Sequence, residues 1–290
     1  MKILVTGGLG FVGSHLVDKL IEEGNEVHVV DDLSSESASL ENLNSKAIYK
    51  TQYPVESLFK IYDTQFDKIF HLAAKARIQP SFDNPLEYIR SNGFGTAVVM
   101  EYARKYNCGI VVYATTSSKN HGSPYITPYT YSKVCGEDIL KTYSHCYGLN
   151  CAMATFYNVY GPREPRVGEW ATVVAKFGRQ LAEGSKLTVV GDGLQTRDFT
   201  HVDDIVNGLI KISEGQWEAN NFDLGRGNPI SILDLAKLYT TDMSKIQFVP
   251  LRKNEGLHTE SEWRKTETLL KWRATKNLKE YIKQNKTNKL

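Results

Sequence analysis

Cysteine is scarce: Cys108, Cys135, Cys146 and Cys151 are the only four in 290 residues, and their spacing suits neither a disulfide framework nor paired metal ligands. No apolar run reaches the length of a membrane span, and the opening Met1-Lys2-Ile3-Leu4-Val5-Thr6 meets glycine too soon for a signal peptide. Charge of one sign is also lacking, since 35 Lys and Arg face 33 Asp and Glu, so neither nucleic acid nor an acidic membrane surface is required as a partner. Only residues 252–290 are lopsided, with eleven Lys or Arg against five Glu. Without an aromatic platform for bases they read as a solvated helical face and a Lys-rich tail. What these absences leave is a soluble, cytoplasmic protein with reduced thiols and no metal. At 41% hydrophobic and 23% charged residues it has an ordinary enzyme composition, and its length allows a buried sheet in one large domain or two small ones.

Short β-branched runs alternate with longer helical patterns. Strands are expected at Ile3 to Thr6, Glu26 to Val30, Lys68 to Leu72, Ile110 to Ala114, Ala152 to Phe156 and Asn221 to Leu224. After the first of these, Val12, Leu16 and Leu20 form one helical stripe, widened by Val17 and Ile21. Strands with few polar residues, separated by helices, predict a parallel sheet covered on both faces, and right-handed crossovers make it a doubly wound α/β fold.

Glycines follow the first strand in two overlapping registers, Gly8-x-Gly10-x-x-Gly13 and Gly7-x-x-Gly10-x-x-Gly13, and the second strand ends at Asp31, eighteen residues past Gly13. In this setting the glycines admit a pyrophosphate to the amides and dipole of a helix N-terminus. Asp31 would accept hydrogen bonds from the adenosine ribose and repel a 2′-phosphate, which selects NAD over NADP.

Further along, Tyr129 and Lys133 stand four apart in Pro128-Tyr129-Thr130-Tyr131-Ser132-Lys133, downstream of Thr115-Thr116-Ser117-Ser118. On one helix face an ammonium beside a phenol favours the phenolate. A phenolate can take the proton of an alcohol or sugar hydroxyl.

Taken in order, these motifs resemble the extended short-chain dehydrogenase/reductases of the nucleotide-sugar epimerase and dehydratase group. The resemblance runs through Thr6 to Gly13, Asp31-Asp32-Leu33-Ser34, His71-Leu72-Ala73-Ala74, Asn92 before Gly95-Thr96, and Tyr129 to Lys133. It continues through Phe156-Tyr157-Asn158-Val159-Tyr160-Gly161-Pro162-Arg163, Gly191-Asp192-Gly193, Gln195 to Phe199, His201-Val202-Asp203-Asp204, and Arg252. It implies NAD contacts from Gly7, Gly10, Phe11, Val12, Asp31, Asp32, Leu72, Ala73, Ala74, Tyr129 and Lys133. Asn92 would meet the cofactor phosphates, and Tyr157 with Asn158 would line the junction of nicotinamide and substrate. Arg197 and Arg252 would clamp a nucleotide diphosphate, a group that suits two guanidinium forks. Thr116 would hold the substrate oxygen, with Thr115 and Ser117 as adjacent candidates, and both Lys133 and the positive nicotinamide would lower the Tyr129 pKa.

Within the group the resemblance is to 4-epimerases acting on UDP-hexoses or UDP-N-acetylhexosamines. Dehydratases resemble one another in an Asp-Glu pair after the catalytic threonine, decarboxylases in a Glu there, and 3,5-epimerase/4-reductases in a Cys. Here Ser117 and Ser118 occupy those places. Two other readings stand beside this one, a 4-ketoreductase consuming NAD(P)H and an NAD-binding regulator without catalysis. Several positions depart from the pattern. Lys119-Asn120-His121 replaces Val-Tyr-Gly, and thirteen positions separate Thr116 from Tyr129, about half the usual spacing. Ile48-Tyr49-Lys50-Thr51 lacks the Asp that holds adenine, Thr155 replaces an Arg, and Lys75, Arg77 and Gln79 fill a loop that more often carries small residues. Thr259, seven past Arg252, replaces a bulky Tyr and would leave room for an acetamido group.

The expected architecture is an NAD-binding Rossmann domain over residues 1–157, with a return segment near 197–224, and a smaller substrate-binding domain over most of 158–290. Its helices around Leu86 to Tyr106 and Tyr129 to Tyr147 would pair in a homodimer, with Tyr102, Tyr106, Tyr143 and Tyr147 at the interface.

Overall fold

The computed structural model describes residues 1–35, 37–168, 170–251 and 256–287. Seven parallel strands form the central sheet: β1 (Lys2–Thr6), β2 (Glu26–Asp31), β3 (Ile48–Gln52), β4 (Lys68–His71), β5 (Ile110–Thr116), β6 (Cys151–Phe156) and a last strand, Glu218–Leu224. Their order is β3-β2-β1-β4-β5-β6 followed by Glu218–Leu224. The direction of winding reverses between β1 and β4, so the crevice at the carboxyl ends of these two strands is the place where an α/β sheet takes its ligand.

Alternation along the strands feeds two apolar layers. Ile3 and Val5 of β1, Val112 of β5 and Ala154 of β6 join α1 (Phe11–Glu22) and the Val202–Ile212 helix in one core. Leu4, Val111, Tyr113 and Met153 face the other way, onto Val99, Met100 and Leu140 of the Gly95–Lys105 and Pro128–Tyr147 helices. A third cluster, around Phe177, Leu187, Val189 and Leu235, belongs to a smaller unit in which Leu187–Val190 pairs in parallel with Ile246–Val249.

β5 runs two residues past its expected end, through Thr115 and Thr116, which pair with Thr155 and Phe156 of β6. This extension carries the hydroxyl run up to the crevice. The Leu86 to Tyr106 region is interrupted: Pro85–Tyr88 leads into a π-helical turn, Ile89–Phe94, before Gly95–Lys105 resumes α geometry. Such turns are frequent at functional sites. The backbone packs closely where this turn ends, since a Cβ on Gly95 would lie 2.7 Å from Val55. The Pro128–Tyr147 helix has defined ends. Thr127 accepts the Thr130 amide at 3.0 Å, Pro128 occupies the first turn, and Gly148 closes the helix at φ 65°.

Candidate active site

At the amino end of α1 the chain backbone itself makes the cradle. Gly7 has φ 73°, and a Cβ there would sit 2.7 Å from the Ala73 nitrogen, while one on Gly13 would run into the Gly7 carbonyl. The cleft is lined by Gly7, Gly10, Phe11, Val12, Asp31, Asp32, Leu72, Ala73, Ala74, Tyr129 and Lys133, all expected from the sequence. Asp31 is buried, and its carboxylate accepts the Leu9 amide at 3.0 Å and the Leu33 amide at 2.9 Å. Burial raises its pKa and the two amides pull it back. Ser34, Ser35, Tyr53 and Val55 extend the wall past the end of β2. Close backbone approach, free helix amides and an acidic residue at the end of β2 together fit a dinucleotide.

Behind this wall His71 holds the loops in place. Its ring is fully buried, 2.8 Å from Thr6 Oγ1 and 3.0 Å from Thr96 Oγ1, and Thr6 also accepts the Ala73 amide. Burial, reinforced by the charge of Lys133, pushes the imidazole down to about 3, so it stays neutral.

The other end of the cleft carries the acid–base groups. Tyr129 and Lys133 share the face of the Pro128–Tyr147 helix that opens to the crevice. Thr116 closes β5, and its hydroxyl accepts the Ser118 amide at 3.1 Å and donates to Ser118 Oγ at 3.0 Å. The Thr116 hydroxyl also lies near enough to the Tyr129 phenol to favour its charged form. Burial raises the Tyr129 pKa, while the Thr116 hydroxyl and the Arg77 charge act against it. The expected lowering by Lys133 is therefore corrected for the protein alone. Lys133 is itself buried and pushed down to about 7, with Glu137 opposing that shift, so near neutrality its ammonium is only partly formed.

Residues 3–225 match the family described as NAD dependent epimerase/dehydratase. The chain belongs to this family. Its cofactor is NAD, and its fold is the Rossmann-type sheet described above. Among individual proteins, the UDP-glucose 4-epimerase of Mycolicibacterium smegmatis is 35% identical over 81% of this chain and 80% of its own length. UDP-glucuronic acid decarboxylase 1 of Danio rerio is 30% identical over 99% of this chain and 71% of its own. The UDP-glucose 4-epimerase of Thermotoga maritima, solved with UDP-glucose, superposes with a TM-score of 0.89 at 32% identity, covering 98% of this chain and 96% of that one.

Around this epimerase/dehydratase cleft, several expected residues make contacts of their own. Asn92 does not line the cleft: its amide donates to the Lys75 carbonyl and to Ser132 Oγ, both at 2.9 Å, and its oxygen accepts the Lys75 amide at 2.8 Å. It ties the loop after β4 to the Tyr129 helix. Tyr157 is fully buried with its hydroxyl 2.6 Å from Asp223, and Phe156 lines the cleft in its place. Strand parity could have revealed the exchange, because Phe156 pairs with Thr116 at the crevice end of β6. Asn158 is half-buried just beyond. Arg197 is buried and donates to the Thr196 carbonyl, and Arg252 lies outside the described residues.

Thr259 is also buried, 2.7 Å from His121 Nε2, so the imidazole holds the room that threonine was expected to leave. Burial, aided by the Arg197 charge, takes that ring down to about 4. The shortened loop thus closes onto the smaller unit through His121. Arg77, Trp170 and Pro165 complete the cleft, and Arg77 donates to the Trp170 carbonyl at 2.5 Å. Its backbone lies at φ 84°, a strained conformation for a residue with a Cβ. Among the described residues no cluster of His, Cys, Asp and Glu could hold a metal ion, and no helix is long and apolar enough to cross a membrane. All four cysteines are free.

Proposed function

We propose that this chain is an NAD-dependent nucleotide-sugar 4-epimerase acting on a UDP-hexose or UDP-N-acetylhexosamine through a transient 4-keto sugar. The observation that carries the reading is the buried hydroxyl cluster at the end of β5, next to the Tyr129 helix. Thr116, Ser118 and Thr130 form one buried hydrogen-bonded chain, with Ser118 Oγ 3.0 Å from Thr130 Oγ1. Hydroxyls cannot protonate or deprotonate sugar carbons at neutral pH, so hydroxyls at these positions favour epimerisation over dehydration or decarboxylation.

NAD bound in the cleft supplies a reversible hydride acceptor for C4. Tyr129 takes the C4 hydroxyl proton and later returns it, Thr116 holds that oxygen, and Lys133 as ammonium stabilises the phenolate. A half-turn of the keto sugar exposes its other face, so the product is the C4 epimer without net redox change. Arg197 and Arg252 hold the diphosphate in this reading. The protein works in the cytosol as a homodimer.

Incubating the protein with catalytic NAD⁺ and UDP-glucose, UDP-galactose or their N-acetylated forms, and following anomeric protons by NMR, tests it. Appearance of the C4 epimer is expected. Conversion only with stoichiometric NAD(P)H would replace the epimerase by a reductase, and inertness toward all four sugars would overturn the substrate assignment.

A further inference from the structure

Tyr129, Lys133 and Glu137 stand at intervals of four on the Pro128–Tyr147 helix and so share one face. The first two meet the cleft. Glu137 is one turn deeper, and its side chain is almost fully enclosed. A carboxylate so placed is costly unless paired. Two donors converge on its Oε1: Thr115 Oγ1 at 2.5 Å and Lys119 Nζ at 2.7 Å. Thr115 belongs to β5 and also lines the cleft, whereas Lys119 comes from the 3-10 turn Ser117–Asn120 that caps β5. Lys119 stands where the family pattern has Val.

Lys133 has no comparable anion of its own. Its ammonium lies 4.3 Å from the centre of the Tyr113 ring, and the Tyr113 hydroxyl donates to the Lys133 carbonyl at 3.2 Å. The charged or titratable groups around this line are His71 from β4, Arg77 from the loop after it, Tyr113 from β5 and Lys119 from the 3-10 turn. Tyr129, Cys135 and Glu137 add to these from the helix itself. His71 is neutral, so the nearby negative charge that favours a protonated Lys133 is Glu137, and the cation that competes for it is Lys119.

We infer that Glu137 is a positioning residue that keeps Lys133 charged, and that Lys119, by neutralising part of Glu137, sets the pH above which the enzyme loses its ammonium. Removing Glu137 strips Lys133 of its stabilising anion and leaves Lys119 without the carboxylate it pairs with. Removing Lys119 does the reverse. The two substitutions must therefore move Lys133 in opposite directions, which simple damage to packing cannot do.

The inference rests on the proposed role of Lys133 as the ammonium beside Tyr129, so it is tested first without any substrate. The titration of Lys133 is followed by ¹³C NMR of lysine-labelled holoenzyme and assigned with Lys133→Met. Relative to the parent, the midpoint should fall by about one pH unit in Glu137→Gln and rise by about half a unit in Lys119→Met. The alkaline limb of the turnover profile should follow both shifts. Midpoints unchanged in the variants, or moved in the same direction, overturn the inference. If Glu137→Gln fails to fold, Lys119→Met decides, since that side chain is partly exposed. Displaced midpoints in an enzyme inert toward every sugar would sustain this inference while removing the epimerase reading.

Discussion

Tyr129→Phe keeps ring, helix and cleft and deletes one oxygen, the atom assigned to move the substrate proton. Turnover should fall about 10²–10⁴-fold, the usual worth of a positioned acid–base group, while NAD remains bound in the purified variant and melting is little changed. Full activity would transfer the role to another group. The same scale shows where two of the expected residues direct their polar atoms. Asn92 and Tyr157 are polar residues that the sequence places beside the site, yet each spends its polar atoms inward, on Lys75 and Ser132 in one case and on Asp223 in the other. A motif reports which residue types are near a site. It does not report which way their hydrogen bonds run.

Elements fixed the site more reliably than single residues did. The Gly7–Gly13 turn, α1 and the capped Pro128–Tyr147 helix are local structures whose signals, a glycine register and a Thr-Pro start with a terminal glycine, are contiguous in the chain. The π-helical turn at Ile89–Phe94 carries no such contiguous signal. Elements also decide the proposed dimer. Tyr102 is fully buried with its hydroxyl on the Thr64 carbonyl, so it belongs to the core and not to an interface. Leu86, Phe94, Tyr131 and Tyr147 are exposed at 80%, 58%, 41% and 57% on the helices expected to pair. Sedimentation equilibrium at micromolar concentration should give a dimer, and Phe94→Glu should shift it toward monomer by burying an unpaired charge. A parent that sediments as a monomer removes this assembly.

At the scale of the molecule, buried titratable groups couple stability to pH. Glu164 is buried, bonded to Thr172, and raised to about 7, first by desolvation, with the Thr172 hydrogen bond opposing. Its neutral form is favoured in the fold. The stability it contributes is thus complete below its unfolded value of 4.5 and is lost as pH rises through 7. His71, pushed down to about 3, acts with the opposite sign, so a single pH curve would blend the two. Comparison with Glu164→Gln cancels His71. Between pH 8 and 4.5 the parent should gain about 3 kcal/mol over the variant in urea unfolding, and parallel curves would show that Glu164 stays ionised.

The sequence by itself determined the doubly wound sheet, the dinucleotide turn, Asp31 at the end of β2 and the Tyr129–Lys133 pair. Each rests on periodicity or spacing within one or two adjacent elements, and such local geometry follows from the backbone alone. The tertiary structure decided what depends on distant parts of the chain meeting. Phe156 instead of Tyr157 faces the cleft, His121 fills the space beside Thr259, and burial outweighs charge at Tyr129 and Lys133. Thr115 and Lys119 converge on one buried oxygen of Glu137 only because β5 ends beneath the helix that carries Lys133. Desolvation and long-range pairing depend on what surrounds a side chain, and that is set only once the chain has folded.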